Sequence, residues 1–355
     1  MHLISLLKAP SAIAAALVLF SQDAAAHEAW LLTPSEVEAL SRAPMPALFT
    51  STFAMVAAAI LGAVAALVAL AAEDHYAPVE QRLTHRLCAL AGRIGPVAIR
   101  IGLALMLALG AVGGLPRAGV ALWSTPVLFV PDMQLALVPG WGWLGAAALI
   151  TAVLLALGAA TRIAAVGVLV LSGLGIVAFG TPFLSYAPHF AAPALMLLAT
   201  GPGALAVDNL SELTRATALT ERQRQGIWYL AMALVGGTFV YLGIAFKLLQ
   251  PTLLIAILQH GQFPTFGLPI AIIALVMTGV EIVAGLLLAL GRLVRPVAIF
   301  LIGAFTFFAV MLGETPLFHA NLYGTALMLL MAGARAPRII TARQSRIGAA
   351  ATAAE

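Results

Sequence analysis

Two ionisable side chains stand inside long apolar runs, and both are candidates for chemistry. Lys247 closes the run Leu242-Gly-Ile-Ala-Phe-Lys, and Glu281 sits near the middle of the run 268–290. An ionisable group at the centre of a bilayer costs roughly 2.5–3.5 kcal/mol on insertion scales, so such residues are functional candidates by default. Lys247 lies near the end of its run and can extend its ammonium to the membrane surface. Glu281 has no such escape: it must be paired, protonated or facing a polar cavity. Two readings stay open for it. One is a carboxylate that exchanges protons with a bound substrate, and the other is a purely structural Lys247–Glu281 pair. Arg100 stands about two turns inside another apolar run. It is either an alternative partner for Glu281 or a side chain that snorkels to the nearer surface.

A second constellation lies on a turn. Glu314 and His319 fall within Gly313-Glu-Thr-Pro-Leu-Phe-His-Ala-Asn321, and a matching turn earlier in the chain carries Tyr186 and His189. That earlier turn has no acid, because Thr181 stands where Glu314 would be. Glu281, Lys247 and Glu314 are therefore the catalytic candidates, and Arg100 and His319 the candidates for holding a cofactor. His27 is a different case. Cleavage after Ala24-Ala25-Ala26 would make it the mature N-terminus, where imidazole and α-amine nitrogens together chelate copper or zinc. His189, on the same side as His27, is the second candidate metal ligand. Cys88 is the only cysteine, so no disulfide and no CxxC pair can form. There is no P-loop, HExxH or GxSxG, which removes support for ATP-driven transport, zinc proteolysis and Ser-hydrolase chemistry.

The elements that position these residues follow from composition. Hydrophobic residues make up 62% of the 355-residue chain and charged residues 9%, far below the roughly 25% charged residues of soluble domains. Continuous Leu/Ala-rich runs read as spanning helices rather than barrel strands, so the fold class is all-α, polytopic and membrane-embedded. Residues 1–26 read as a signal peptide, with Lys8 ahead of the apolar core Ser11–Phe20. An outer segment 27–46 and a first span 47–72 follow, then an amphipathic cytoplasmic segment 73–92. Spans are expected at 94–114, 142–160, 163–181 and 187–203, and again at 228–249, 268–290, 295–312 and 318–333. Between these sets runs a charged cytoplasmic linker, 209–226, and a basic tail closes the chain at 336–355. That makes nine mature spans. The arginines fall mostly on one side, which places the N-terminus outside and the C-terminus in the cytoplasm of a bacterial inner membrane. The net charge of +4 is thus topology and no footprint for nucleic acid.

The two sets of four spans are copies of one unit about 133 residues apart. Leu155-Ala-Leu-Gly158 with Arg162 returns as Leu288-Ala-Leu-Gly291 with Arg295, and Gly180 returns as Gly313. An even number of spans per copy makes the repeats parallel. Gly114 and Ala148 stand where the second copy has Lys247 and Glu281, so the second copy alone carries the buried ionisable pair. Gly236-Gly237-x5-Gly243 reads as close helix packing.

The motif Leu242-Gly-Ile-Ala-Phe-Lys247, followed by Glu281, Gly285-Leu-Leu-Leu-Ala-Leu-Gly291 and Arg295, resembles the DoxX/DoxD family of four-span membrane proteins. The first copy ends Gly201-Pro-Gly-Ala-Leu-Ala-Val-Asp208, similar to that family's Gly-x-Gly…Asp ending. The resemblance covers 93–208 and 227–335. It implies association with redox systems, including a subunit of thiosulfate:quinone oxidoreductase, and hence a quinone and a periplasmic or membrane redox partner. The chain departs from the family in being a fused double copy with an extra first span and an exported His-Glu-x-Trp start. On this reading it is a quinone-linked subunit acting with a small outer-side substrate such as a sulfur compound. A non-enzymatic small-solute transporter and an outer-side copper-handling protein built on His27 are the alternatives.

Overall fold

The computed structural model describes residues 31–210 and 219–337. The expected signal segment, His27, part of the linker and the basic tail lie outside that range. The described residues form α-helices without a β-sheet. Five helices are long and apolar enough to cross a membrane, so the chain is a helical, membrane-embedded protein.

A short helix α1 (Pro34–Ser41) opens on a capping box. Thr33 accepts from the Glu36 amide, and Glu36 accepts from the Thr33 amide at 2.7 Å. After one turn, α2 (Ala47–Thr50), comes α3 (Thr52–Arg93), 42 residues long. At 1.5 Å per residue it measures about 63 Å, roughly twice the ~30 Å hydrocarbon core. The expected first span and the segment after it are thus one continuous helix. Glu73-Asp74 marks where the side chains turn polar, but no glycine stops the backbone there, and Pro78 is tolerated inside the helix.

Eight further helices make the body. They are α4 (Gly95–Ala111), α5 (Trp143–Leu157), α6 (Thr161–Phe179) and α7 (Ala187–Thr200), then α8 (Glu221–Leu242), α10 (Ile270–Ala289), α11 (Val294–Met311) and α12 (Ala320–Ala332). The amphipathic helix α9 (Pro251–His260) intervenes after α8. The packing order is the same in each set of four. α4 packs on α5 and α6 on α7, while α8 packs on α10 and α11 on α12. The sets meet through their outer members, α4 against α12 and α7 against α8. Backbone meets backbone at two crossings. A Cβ on Gly102 would lie 2.3 Å from the Ala320 carbonyl oxygen, and one on Gly236 would lie 2.3 Å from that of Gly285. Both sites require glycine, as small-residue helix packing in membranes does. Gly237 meets nothing, so of the adjacent pair only Gly236 is a packing residue.

Left-handed residues turn the hairpins at matching places: Gly158 and Ala160 between α5 and α6, Gly291 and Leu293 between α10 and α11. Both hairpins lie at one end of the bundle, which we call the arginine end. Three buried arginines there hold backbone carbonyls, two of them at helix ends and Arg100 in the loop after α7. Arg100 donates to Ala204 and Leu205 (3.2 and 3.1 Å), and Arg224 to Ala199 (3.0 Å). Arg295 donates to Leu330 and Met331 (2.9 and 3.0 Å). Cations at the negative ends of helix dipoles are favourably placed. Asp208 accepts from the amides of Ala160 (2.5 Å) and Thr161 (2.8 Å) and so caps α6. Arg295 finds its acid elsewhere, in Glu80 of α3, and Arg292 pairs with Glu73 of α3 at 2.8 Å. The extra helix is docked on the last helices by these two ion pairs.

The opposite end carries the segments 112–142 and 249–269, and we call it the loop end. The first of these segments packs into the helical body. Val127, Leu128 and Phe129 are buried, and Phe129 stacks on Phe190 at 4.1 Å. Trp123 lies on its surface, 64% exposed. α9 buries Leu253, Leu254 and Leu258 beneath it, with Phe49 completing a small separate cluster.

Candidate functional site at the loop end

Lys247 and Glu281 meet. α8 ends in a π-helical turn over Gly243–Leu248, in which the Leu249 amide donates to the Ile244 carbonyl at 3.0 Å. Single π turns inside α-helices recur at functional sites. The wider turn swings Lys247 towards α10. A Cβ on Gly243 would reach Ile282 at 2.7 Å, so the two helices run close here. That proximity brings the ammonium onto the Glu281 carboxylate as an ion pair. The pair is not sealed, since the Lys247 side chain is 32% exposed and that of Glu281 17%.

Glu314 lies on the turn after α11, where its amide closes the helix on Ala309 at 2.8 Å. Burial raises its carboxyl from the ordinary range to about 7. The folded state therefore binds a proton that the unfolded chain releases at lower pH. Stability should fall as pH rises from about 4.5 to about 7 and level off above that. Replacing Glu314 by glutamine should flatten this slope. Melting temperatures of both proteins at pH 5 and about 8 test it, and parallel slopes would refute the assignment.

The second cluster sits where the two sets of helices join. His189, in the first turn of α7, is 5% exposed, and its ring meets Phe239 of α8 edge-on at 5.8 Å. Its carbonyl accepts from Asn321 of α12 at 3.1 Å. Its Nδ1 is buried with no hydrogen-bond partner. His319, on the turn before α12, stacks on Phe305 at 6.5 Å. Both imidazoles line one small cavity with Tyr186, Met106 and Asn321. The Tyr186 hydroxyl donates to Asp132 at 2.5 Å. Burial pushes the Asp132 carboxyl up to about 6, against the opposing effects of Tyr186 and Arg117.

The structure thus brings together Lys247 with Glu281, and His189 with His319. It does not bring Arg100 to either pair. Arg100 lies at the arginine end against the Ala204 and Leu205 carbonyls, and Glu281 has Lys247 as its cation. Glu314 makes no ion pair with Lys247 among the described residues. His27 is outside the described range. Asp132 and Asn321 were not singled out from sequence. A signal did exist for Asp132, which is the sole acid between residues 81 and 207. Asn321 carried none.

Compared with known proteins, the chain matches no family model, no curated protein and no solved structure.

Proposed function

We propose that the chain is an inner-membrane protein of two fused, parallel DoxX-like repeats that serves a redox system as its quinone-linked subunit. The duplication is supported by the shared packing order of the two helix sets and by positive φ at Gly158 and Gly291, Ala160 and Leu293, Gly180 and Gly313, Gly201 and Gly333. The arginine end is cytoplasmic and the loop end periplasmic, following the positive-inside rule. The observation that carries the functional reading is the Lys247–Glu281 pair, an intramembrane ion pair left partly open at the bundle surface. Quinones dissolve in the bilayer and reach protein laterally, so an open polar pair at that depth is where such a carrier meets polar atoms. Lys247 presents a donor to a ring carbonyl oxygen, and Glu281 beside it exchanges the proton that accompanies reduction. Electrons come from a partner protein, and a small outer-side substrate such as a sulfur compound is their source.

The test is binding of a short-chain quinone to the purified full chain in lipid nanodiscs, read by tryptophan quenching. Saturable binding that disappears in the Lys247→Met/Glu281→Leu double variant supports the proposal. Equal binding by the double variant, or none by the parent, overturns it.

A further inference from the structure

The second half of α3 forms a charged surface that takes no part in the quinone reading. Glu80 pairs with Arg295 at the start of α11 and stands beside Gly333, just past the end of α12. At the far end of the helix, the Arg93 carbonyl accepts from the Ala204 amide at 2.8 Å, in the loop after α7. Both anchors lie at the arginine end. A Cβ on Gly95, which opens α4, would meet Met328 and Met331 near the end of α12. The stretch from Glu80 to Arg93, about 20 Å of helix, therefore runs along the end of the bundle and does not project away from it.

This stretch has two faces. Glu80, Leu83 and Leu87 are half-buried and Ala91 is buried, a spacing of three or four residues that turns one side towards the helical body. Arg82, Arg86 and Arg93 are exposed. With 3.6 residues per turn, these three fall within about 40° of one another and opposite Ala91. Exposed His85 and Ala89 complete the outer face, with Val79 and Leu90 exposed on its flank.

The acids of this end are committed elsewhere among the described residues. Glu73 pairs with Arg292, Glu80 with Arg295 and Glu221 with Arg224, while Asp208 accepts from the amides of Ala160 and Thr161. Exposed Asp74 lies on α3 itself, about two turns before Arg82. Among the described residues no ion pair reaches Arg82, Arg86 or Arg93. Membrane topology asks only for basic residues near the ends of spans. It does not ask for three on one helix face, opposite the packing side and beside exposed apolar residues. That arrangement fits an anionic membrane surface.

We propose that the outer face of α3 from Arg82 to Arg93 binds the headgroups of anionic phospholipids in the leaflet at the arginine end. The guanidinium groups take the phosphates, and Val79 and Leu90 enter the boundary between headgroups and acyl chains. The helix is held at that depth because both ends of the stretch are tied to the bundle. This binding is independent of whether the Lys247–Glu281 pair meets a quinone.

The test is the lipid selectivity of the full chain in phosphatidylcholine bilayers, with spin-labelled phosphatidylglycerol compared against spin-labelled phosphatidylcholine. The anionic probe should be preferred about fivefold, the effect of one arginine near an anionic surface. The preference should shrink as salt rises from about 0.1 M to about 1 M and the screening length falls from about 10 Å to about 3 Å. Arg82→Gln/Arg86→Gln/Arg93→Gln should abolish it while melting with the parent, since all three side chains are exposed. Arg222→Gln/Arg335→Gln removes two exposed cations of the same end and should leave the preference in place. The proposal is overturned by a parent without preference, or by a preference indifferent to salt. Retention by the triple variant, or loss in the Arg222/Arg335 variant, overturns it as well.

Discussion

Replacing Glu281 by alanine while Lys247 remains should destabilise the protein by about 3–5 kcal/mol, the usual penalty for orphaning one member of a buried ion pair. The Lys247 side chain keeps 32% exposure, which lets it reach towards the headgroup region and places the effect at the lower end of that range. Glu281→Ala is milder than Lys247→Ala for the same reason. A stranded carboxylate on α10, 17% exposed and mid-helix, has no route out except protonation. The double variant Lys247→Met/Glu281→Leu should recover most of the loss, because apolar residues of similar volume often replace a buried pair at no net cost. Reversible unfolding in mixed micelles measures all four proteins. Additive effects of the two single changes would show that the groups do not interact. The same double variant separates the structural role from the proposed chemistry, since it should fold and yet bind no quinone.

The second large effect belongs to a residue without a side chain. Gly236→Ala should destabilise by about 1–3 kcal/mol, and Gly236→Leu by more, through overpacking. A methyl group there would stand 2.3 Å from the Gly285 oxygen and 2.4 Å from the Ala289 nitrogen. Both are backbone atoms, and they cannot rotate away as a flexible side chain would. The helices α8 and α10 would have to part, and with them the geometry that sets Lys247 against Glu281. The control is the next residue. Gly237 has open space around its Cβ position, so Gly237→Ala should be neutral or stabilising by up to about 1 kcal/mol, the helix-propensity gain. Equal outcomes at 236 and 237 in thermal unfolding would dismiss the close crossing.

Much of this was legible in the residues, for identifiable reasons. Helices were readable because lipid imposes continuous apolar runs, and seven of the eight body helices fall within a few residues of the expected spans, while α8 starts at Glu221, seven residues before its expected span and inside the expected linker. The Lys247–Glu281 pairing was readable as one of two alternatives, since an intramembrane acid must find a cation and the two runs are neighbours in the chain. The close role of Gly236 was readable, but not which of the two adjacent glycines faced the partner, because that depends on helix rotation. The change of polarity at Glu73-Asp74 does not end the helix. Polarity reports the edge of an apolar environment, whereas helix termination requires a cap or a breaker, and neither is there. Arg100 was open to two readings because sequence does not say which carbonyls lie nearby. The seat of Asp132 under Tyr186 depends on the fold of the 112–142 segment, whose irregular backbone has left-handed residues at Trp123 and Phe129. No periodic pattern announces such a path.

The docking of α3 bears on the order in which the chain can assemble. Glu73 and Glu80 are made early, but their partners Arg292 and Arg295 follow 219 and 215 residues later. Gly102 likewise waits for Ala320, which lies on the last helix. Among the described residues, α3 therefore packs early only on its chain neighbours α2 and α4, and its seat against α10 and α12 waits until nearly the whole protein has been synthesised. At translation rates of about 5–20 residues per second, it spends some 10–40 s with two acids unpaired. Closure of α3 and α4 onto α12 comes late, so a product truncated before α12 would keep the α4–α5 packing but leave the faces of α3 and α4 that meet α12 uncovered.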